Sequence, residues 1–348
     1  MSDSEIPSDI EEAATKVISS LLPVKSRVKY ELTYGRYEKW CAEKKVNDVT
    51  NEKVLLAYFE YLSATQKPSS LWAYYSMLRS VISIKRNVDI SKYTHLIALL
   101  KRKCEGYRPK KSKILTKQDI ARYLQEADDY TYLMKKVALI IGISGACRRE
   151  ELTKLLLNHV TDEGQCFRIV IPFTKTKISR EFFVTSGGIE GIDMVEIIRK
   201  YVILRPLHID HGRFFVFYKN GKCTQQPVGI NTFGSLPKNI ALFLKLSSPE
   251  QYTGHCFRRS SASLLADNGV DILTLKRHGG WRSNTVAEGY VESSEENKKR
   301  IASKILGAGV TAIHNQELRI NSSYSSNLLT SSGINITNCH ECVVNIYK

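Results

Sequence analysis

The stretch Gly145-Ala-Cys-Arg-Arg-Glu-Glu-Leu152 joins two apolar segments that have helical periodicity. Counted from Arg148, an acid follows at +3 and a leucine at +4. On its own, the pairing of Arg148 with Glu151 is most simply a surface ion pair within one helix. The stretch becomes informative because two other cationic sequences follow it along the chain.

Those two sequences also place cations where a phosphate could be held. Thr174-Lys-Thr-Lys177 falls at the tip of a predicted hairpin, and His255-Cys-Phe-Arg258 puts a histidine and an arginine on one helix face. Further on, Trp281 stands nine positions before Tyr290. Each feature alone has an ordinary structural explanation: a solvated lysine tip, an accidental pair, or a core aromatic. Their order and spacing together indicate a shared site.

In this order and at these spacings, the residues resemble the motif of the tyrosine recombinases, the phage-integrase superfamily of DNA breaking and rejoining enzymes. The resemblance covers roughly residues 10–306. The run Leu275-Lys-Arg-His-Gly-Gly-Trp281 resembles eukaryotic, transposon-derived members such as Cryptons. The motif positions are filled by Arg148, Glu151, Leu152, Lys175, His255, Arg258, Trp281 and Tyr290.

The resemblance implies a division of chemical roles that elementary chemistry supports. A tyrosine hydroxyl, here Tyr290, would attack DNA and conserve the broken bond as a 3′-phosphotyrosyl linkage, without a cofactor or metal. The guanidinium forks of Arg148 and Arg258 would bind the non-bridging phosphate oxygens. An ammonium on a flexible hairpin, Lys175, would protonate the departing 5′ oxygen.

The remaining motif residues are expected to assist. His255 would help proton movement at the tyrosine or donate a hydrogen bond to a phosphate oxygen. Trp281 has only an indole N–H and bulk, so it can position the phosphate but cannot transfer a proton. Glu151 is expected to orient Arg148 rather than to react.

Two assignments have neighbouring alternatives. Arg149 adjoins Arg148, but counting from Arg149 would put Leu152 where the acid belongs. Lys175 and Lys177 lie on the same side of a strand, so strand geometry does not separate them, and the Thr-Lys-Thr context favours Lys175.

Length and periodicity predict a mainly α protein with a small antiparallel β element. A chain of 348 residues suggests two domains. We expect a disordered N-terminus (1–9), a helical core-binding (SAM-like) DNA-binding domain (10–105), a basic linker (106–115), a mixed α+β integrase-like catalytic domain (116–307) and a flexible tail (308–348). The tail could end in one exposed strand.

The charge balance predicts a polyanionic partner. Lys and Arg number 51 against 35 Asp and Glu, a net charge of +16. Double-stranded DNA is the expected partner, and the resemblance implies a homo-oligomer, a tetramer on paired DNA sites. The cations expected to contact DNA outside the catalytic motif are Lys101, Arg102, Lys103, Arg108, Lys110, Lys111, Lys113, Lys177, Arg259 and Arg282.

Location and metal content are also constrained. No apolar run reaches the ~18 residues of a membrane span, and the acidic N-terminus differs from a secretory signal. Pro109-Lys-Lys-Ser-Lys113 resembles a basic import signal, which predicts the nucleus. Cys339 and Cys342 have metal-like spacing but lack a second ligand pair, so we expect no metal.

Two other functions remain open at this point. A domesticated transposon protein could bind DNA as a silent regulator, and a damaged active site would favour it. A type IB topoisomerase would use related chemistry as a monomer, but the chain length and the spacing from Trp281 to Tyr290 argue against it.

Overall fold

The computed structural model describes residues 7–172 and 178–305, and its contacts divide the chain into two units, 1–110 and 111–348. Residues 1–6 of the predicted disordered N-terminus (1–9), the hairpin tip with Lys175 and Lys177, and the predicted tail from 308 onward lie outside the described residues, whereas residues 8 and 9 are helical.

The described part of the first unit is helical. Its helices are α1 (Ser8–Ser20), α2 (Arg27–Glu43), α3 (Glu52–Ser63), α4 (Pro68–Arg86) and α5 (Thr94–Cys104), with a short 3-10 turn at Ile90–Lys92.

The ends of these helices follow local chemistry. Asn51 precedes α3 and accepts a hydrogen bond from the Lys53 backbone N–H, as expected of an amide cap. The sequence predicts a helix start at Pro68-Ser-Ser70 with a serine cap; the start is confirmed, but the serine cap is wrong. The helix α4 begins at Pro68, whose ring fixes φ, and no side chain caps it. It ends at Asn87, which has a left-handed backbone (φ +52°).

Aromatic side chains fill the core of this unit. Tyr37, Tyr58 and Phe59 are buried between α2, α3 and α4. The hydroxyl of Tyr37 donates to the Val49 carbonyl at 2.6 Å, so its polar atom is satisfied. Burial raises the pKa of Tyr58 to about 12, which keeps this phenol neutral.

The second unit mixes helices with two small sheets. Its helices are α6 (Lys117–Glu126), α7 (Asp129–Ser144), α8 (Arg149–Lys154), α9 (Met194–Ile203), α10 (Ile230–Phe243), α11 (Cys256–Asp267), α12 (Ile272–Gly279), α13 (Asn284–Ser293) and α14 (Glu295–Ile305). Its strands are β1 (Val160–Asp162), β2 (Cys166–Ile171), β3 (Arg180–Thr185), β4 (Val216–Lys219) and β5 (Lys222–Pro227).

The predicted hairpin is present as β2 and β3, which pair antiparallel, with β1 added at the other edge of β2. Phe167, Ile169 and Ile171 are buried, which confirms the alternation read from the sequence. Along β3 the inward positions are Arg180, Phe182 and Val184. An arginine therefore occupies a core-facing position.

The sequence predicts helices over residues 117–158, with one ending and another beginning within residues 145–152, and the structure divides this segment first at residues 127–128 and then at residues 145–148. The first helix begins with the predicted capping box, in which Thr116 and Asp119 bond each other's backbone N–H. The second interruption separates α7 from α8 at residues 145–148, where Ala146 has a left-handed backbone (φ +46°). This turn ends α7 directly before Arg148 and the start of α8.

Two separate clusters of apolar side chains support the second unit. The larger one includes Phe214, Phe215 and Phe233 and extends from α6 to the start of α11. A smaller one consists of Ala262, Ala266, Leu275 and Ala287, with partly buried aromatics around it. The fold class is confirmed: mainly α, with small antiparallel sheets.

Residues 111–115 of the predicted linker are packed on the second unit. The Lys113 backbone N–H donates to the Gln251 carbonyl at 2.9 Å, and Leu115 is fully buried. Among the described residues, no helix is long and apolar enough to cross a membrane. The same residues contain no group of three or more His, Cys, Asp or Glu that could hold a metal ion.

Candidate active site

Arg148 and Glu151 form a closed pair at the start of α8. Arg148 stands at the N-cap, and its backbone N–H donates to Glu151 Oε2 at 2.9 Å. Its Nη1 donates to Glu151 Oε1 at 2.5 Å. The side chain of Arg148 is 17% exposed and that of Glu151 only 4%. The surface ion pair is thus a partly buried one that fixes the guanidinium.

The neighbouring Arg149 points elsewhere. It is exposed, and its side chain lies over Gly234 and Gly254. Glu151 lies against Arg148 instead, which agrees with the choice of Arg148 from the +3 acid.

A third arginine, which the sequence interpretation missed, completes this cluster. Arg180 begins β3, is buried, and donates from Nη2 to Glu151 Oε2 at 2.6 Å. Glu151 therefore bridges two guanidinium groups. A signal was available in the sequence, because Arg180 shares the phase of Phe182 and Val184, and a core-facing arginine requires a buried partner.

Arg258 lies in the first turn of α11 and is also buried. Its Nη1 donates to the Ala146 carbonyl at 2.8 Å, and its Nη2 donates to the Gly279 carbonyl. Burial, together with the positive charges of Arg148 and Arg180, lowers the pKa of Arg258 to about 10. The guanidinium stays charged at neutral pH in surroundings that disfavour a cation, and a bound anion would relieve that cost.

Trp281 links this arginine to the tyrosine. The Cζ atom of Arg258 lies 4.7 Å from the centroid of the indole, a cation–π contact. The Tyr290 ring stacks with the indole at a centroid distance of 5.3 Å and an interplanar angle of 28°. Tyr290 lies on α13 and is partly buried against the smaller apolar cluster. The structure thus brings Arg148, Arg258, Trp281 and Tyr290 into one region.

The other motif residues differ in how well they are placed. His255 is exposed and stands at the N-cap of α11, one turn before Arg258. Lys175 and Lys177 lie outside the described residues, between β2 and β3. Their relation to the arginines therefore stays a prediction.

His278 has a packing position. Its Nε2 lies 2.8 Å from the Ser261 Oγ. Burial lowers the pKa of His278 to about 4, and the nearby charges of Arg180 and Arg258 act in the same direction. The imidazole is neutral at physiological pH and supports the end of α12.

Three of the cations expected to contact DNA make bonds within the fold, and six others are exposed. Lys103 pairs with Glu60 at 2.8 Å. Lys113 Nζ donates to the Ser247 carbonyl at 2.9 Å, and Arg259 Nη1 donates to the Ser112 carbonyl. These three hold the fold as it stands. The exposed ones are Lys101, Arg102, Arg108, Lys110, Lys111 and Arg282.

The arrangement suits an anion that accepts hydrogen bonds through two of its oxygens. Arg148 and Arg180 bond to one carboxylate, Glu151, and Arg258 lies close enough to feel the charges of all three, so the cluster has three positive charges against one negative charge. Guanidinium forks match two oxygens of a phosphate, and the Tyr290 ring lies beside them. The site therefore combines phosphate recognition with a hydroxyl able to act as a nucleophile.

Known proteins are similar to this chain in sequence. The phage integrase family matches residues 113–297, just over half of the chain. The tyrosine recombinase XerC of Rickettsia conorii is 25% identical over 198 residues, which cover 53% of this chain and 59% of that protein. XerC of Rickettsia bellii is 21% identical over 301 residues, covering 71% and 94%.

Two solved structures share the fold. One is the XerH site-specific recombinase bound to palindromic difH substrate in a post-cleavage complex, with a TM-score of 0.61 and 15% identity over 87% of this chain and 91% of that one. The other is the Tn1549 transposon integrase in complex with circular intermediate DNA, with a TM-score of 0.58 and 16% identity over 84% and 97%. The chain belongs to the phage integrase family.

Proposed function

We propose that this protein is a site-specific DNA recombinase or integrase that cleaves and rejoins strands through a 3′-phosphotyrosyl intermediate. One observation carries the proposal: Trp281 contacts both the buried Arg258 guanidinium and the Tyr290 ring. This chemistry needs at least a cation that can bind a phosphate and a tyrosine beside it. The family membership of the chain supports the same function.

In the proposed reaction, the Tyr290 oxygen forms a bond to phosphorus while the bond from phosphorus to the 5′ oxygen breaks. The phenolic proton leaves, and a proton is delivered to the 5′ oxygen. Arg148 and Arg258 hold the non-bridging oxygens, whose negative charge grows in the transition state. Lys175 is the proposed proton donor, His255 assists proton movement or binds an oxygen, and Trp281 positions the phosphate.

We also propose duplex DNA as the substrate and partner. A net charge of +16 and exposed cations such as Lys101, Arg102 and Arg108 suit a phosphate backbone. The DNA complexes of the XerH recombinase and the Tn1549 integrase support this partner. The contribution of Lys103, Lys113 and Arg259 would require them to exchange their present partners.

Finer statements rest on the sequence resemblance. We propose a tetramer on paired DNA sites, an origin in a transposable element, and residence in the nucleus. The proposed residence in the nucleus rests on the basic run Pro109-Lys-Lys-Ser-Lys113. In this run Lys110 and Lys111 are exposed, while Ser112 is buried. The import signal would therefore use the two exposed lysines.

A silent DNA-binding regulator is the second candidate function, but no specific observation favours it. The motif side chains that the structure describes are all present, and Arg148 and Arg258 are held by buried contacts. A topoisomerase would relax arbitrary supercoiled DNA as a monomer.

The test is covalent trapping. The protein is incubated with nicked suicide duplexes that carry candidate recombination ends, and the products are separated under denaturing conditions. We expect a protein–DNA adduct with the wild-type chain and none with Tyr290→Phe, because phenylalanine keeps the ring stacked on Trp281 but lacks the attacking oxygen.

The matched control is Tyr130→Phe, which removes the hydroxyl of an exposed tyrosine elsewhere in the second unit. Its adduct yield should equal that of the wild type. Absence of an adduct on every DNA would favour the silent regulator, and relaxation of arbitrary supercoils by a monomer would favour the topoisomerase.

A further inference from the structure

Arg180 makes contacts that extend beyond Glu151. Its Nη1 donates to the Gly145 carbonyl at 2.6 Å and to the His278 carbonyl at 2.9 Å. These acceptors belong to two distant segments, the turn between α7 and α8 and the end of α12. One arginine therefore fastens both segments to β3.

Arg258 repeats this pattern one residue further along each segment. It donates to the carbonyls of Ala146 and Gly279, directly after those that Arg180 uses. Two arginines from different elements, β3 and α11, thus bind consecutive carbonyls on the same two segments. We call this arrangement the double arginine clasp, formed by Arg180 and Arg258.

The two clasped segments lead directly into the candidate active site. The turn at Gly145 and Ala146 is followed by Arg148, and the end of α12 at His278 and Gly279 is followed by Trp281. Arg258 sits beside Trp281, whereas Arg180 bonds to Glu151, which in turn bonds to Arg148. A displacement of Arg180 would therefore change the positions of both Arg148 and Trp281.

The local packing is built around the Arg180 side chain. Gly280 has φ +61°, and a Cβ placed there would lie 2.6 Å from Arg180 Cδ. The adjacent Gly279 is just as restricted, since its Cβ would meet the Trp281 ring at 2.3 Å. Arg180 Nε is buried and has no hydrogen-bond partner among the described residues. The site thus tolerates an unsatisfied donor in order to keep a guanidinium in this position.

We propose that Arg180 is a positioning residue for DNA cleavage, which orients Arg148 through Glu151 and fixes the segment that carries Trp281. This inference rests on the proposed recombinase function. Arg180 does not touch the phosphate in this role. It acts by setting the separation between the two sides of the site, which the transition state requires to be correct within a fraction of an ångström.

Arg180→Lys is the informative substitution. It keeps the positive charge next to Glu151, but a compact ammonium lacks the planar fork that reaches Glu151 and two carbonyls together. We expect the single-turnover rate constant of adduct formation at saturating suicide DNA to fall about 10- to 100-fold, as for other groups that orient reacting side chains. The dissociation constant for DNA should change less than about threefold, because the Arg180 side chain is buried.

The matched control is Arg168→Lys on the neighbouring strand β2. Arg168 pairs with Glu163 at 3.0 Å and with Glu181 at 3.4 Å. Its side chain is 40% exposed, and it is not one of the two clasp arginines. Its rate constant should equal that of the wild type.

The rate constant separates positioning from mere stabilisation. A purely structural role would lower the adduct amplitude or the melting temperature while the rate constant per folded molecule stays unchanged. That result for Arg180→Lys would overturn the inference.

Should Arg180→Lys yield no folded protein, the double variant Arg180→Gln with Glu151→Gln removes both buried charges and is compared with Glu151→Gln alone. A further tenfold loss in the double variant supports positioning by Arg180, and equal rate constants overturn it.

The proposed function and this inference fail differently. No adduct with the wild-type chain on any DNA would overturn both. A wild-type adduct that Tyr290→Phe abolishes, combined with a normal rate constant for Arg180→Lys, would overturn this inference alone.

Discussion

The arginines and the tyrosine of the candidate site lie beside apolar clusters of different size. Arg148 and Arg180 adjoin the large cluster, in which whole aromatic side chains such as Phe214 and Phe215 are buried. Tyr290 lies on α13 beside a cluster whose fully buried members are three alanines and Leu275. An alanine methyl buries far less apolar surface than a phenyl ring. The small cluster beside Tyr290 therefore contributes less stabilising free energy than the large cluster beside the arginines.

This difference separates two demands on the chemistry. Phosphate recognition requires charges that do not move, and the buried clasp on a large core provides them. A nucleophile that forms and later releases a covalent bond lies on helices that can open locally at lower cost. We expect the two sides to respond differently to perturbation.

Truncating each cluster once tests this contrast most strongly. Phe214→Ala removes a fully buried ring from the large cluster and should lower the free energy of unfolding by about 3–5 kcal/mol. Leu275→Ala removes three carbon atoms from the small cluster and should cost about 2 kcal/mol, at the low end because the alanine-rich site can collapse. Denaturant unfolding gives both values.

Hydrogen exchange then locates each effect. Faster exchange after Leu275→Ala should be confined to the amides of α12 and α13, while Phe214→Ala should accelerate exchange throughout the second unit. Equal, global acceleration by both variants would contradict the two-cluster description.

Acid should weaken the connection between the two sides. The pKa of His278 is lowered to about 4 in the fold against 6.5 for an ordinary histidine. Between these values the unfolded chain binds more protons, so stability is present above pH 6.5 and is lost as the pH falls toward 4. From pH 7 to pH 5 this histidine alone should cost about 2 kcal/mol.

The variant His278→Gln isolates that contribution. Glutamine can still bond Ser261 Oγ but does not titrate, so the loss between pH 7 and pH 5 should shrink by about 2 kcal/mol. An unchanged pH profile of denaturant unfolding would show that His278 is protonated as easily in the fold as in the unfolded chain.

The smallest expected effect strengthens the tyrosine side. Gly289 lies inside α13, directly before Tyr290, and a Cβ there would meet no atom within 4 Å. Gly289→Ala should stabilise the helix by about 0.5–1 kcal/mol, since glycine loses more backbone entropy. Slower hydrogen exchange of the α13 amides would register the gain, whereas faster exchange would indicate a contact that the alanine disturbs.

Local sequence signals predicted much of the fold. The alternation of Phe167, Ile169 and Ile171 predicted a half-buried strand, and Thr116 with Asp119 predicted a helix start, because both signals depend on neighbours in the chain. The spacing of Arg148, Arg258, Trp281 and Tyr290 predicted one site, and the structure places their side chains in one region.

Features that depend on distant partners were missed. Arg180 bonds Gly145, Glu151 and His278, and no local pattern shows which of them it would meet. The sequence indicated that one helix ends and another begins within residues 145–152, but it did not show that Ala146 makes this turn with a left-handed backbone. Long-range hydrogen bonds determine the contacts of Arg180, whereas the turn at Ala146 is closed by local bonds from the Ala146 and Cys147 backbone N–H groups to the Ile143 and Gly142 carbonyls.

The close approach of Gly280 to Arg180 constrains which residues could replace either of them during evolution. A larger residue at 280 would displace the arginine, and a shorter residue at 180 would remove the reason for glycine beyond its positive φ. The two positions should therefore change together among relatives, and an ancestor that lost one would have faced little selection to keep the other.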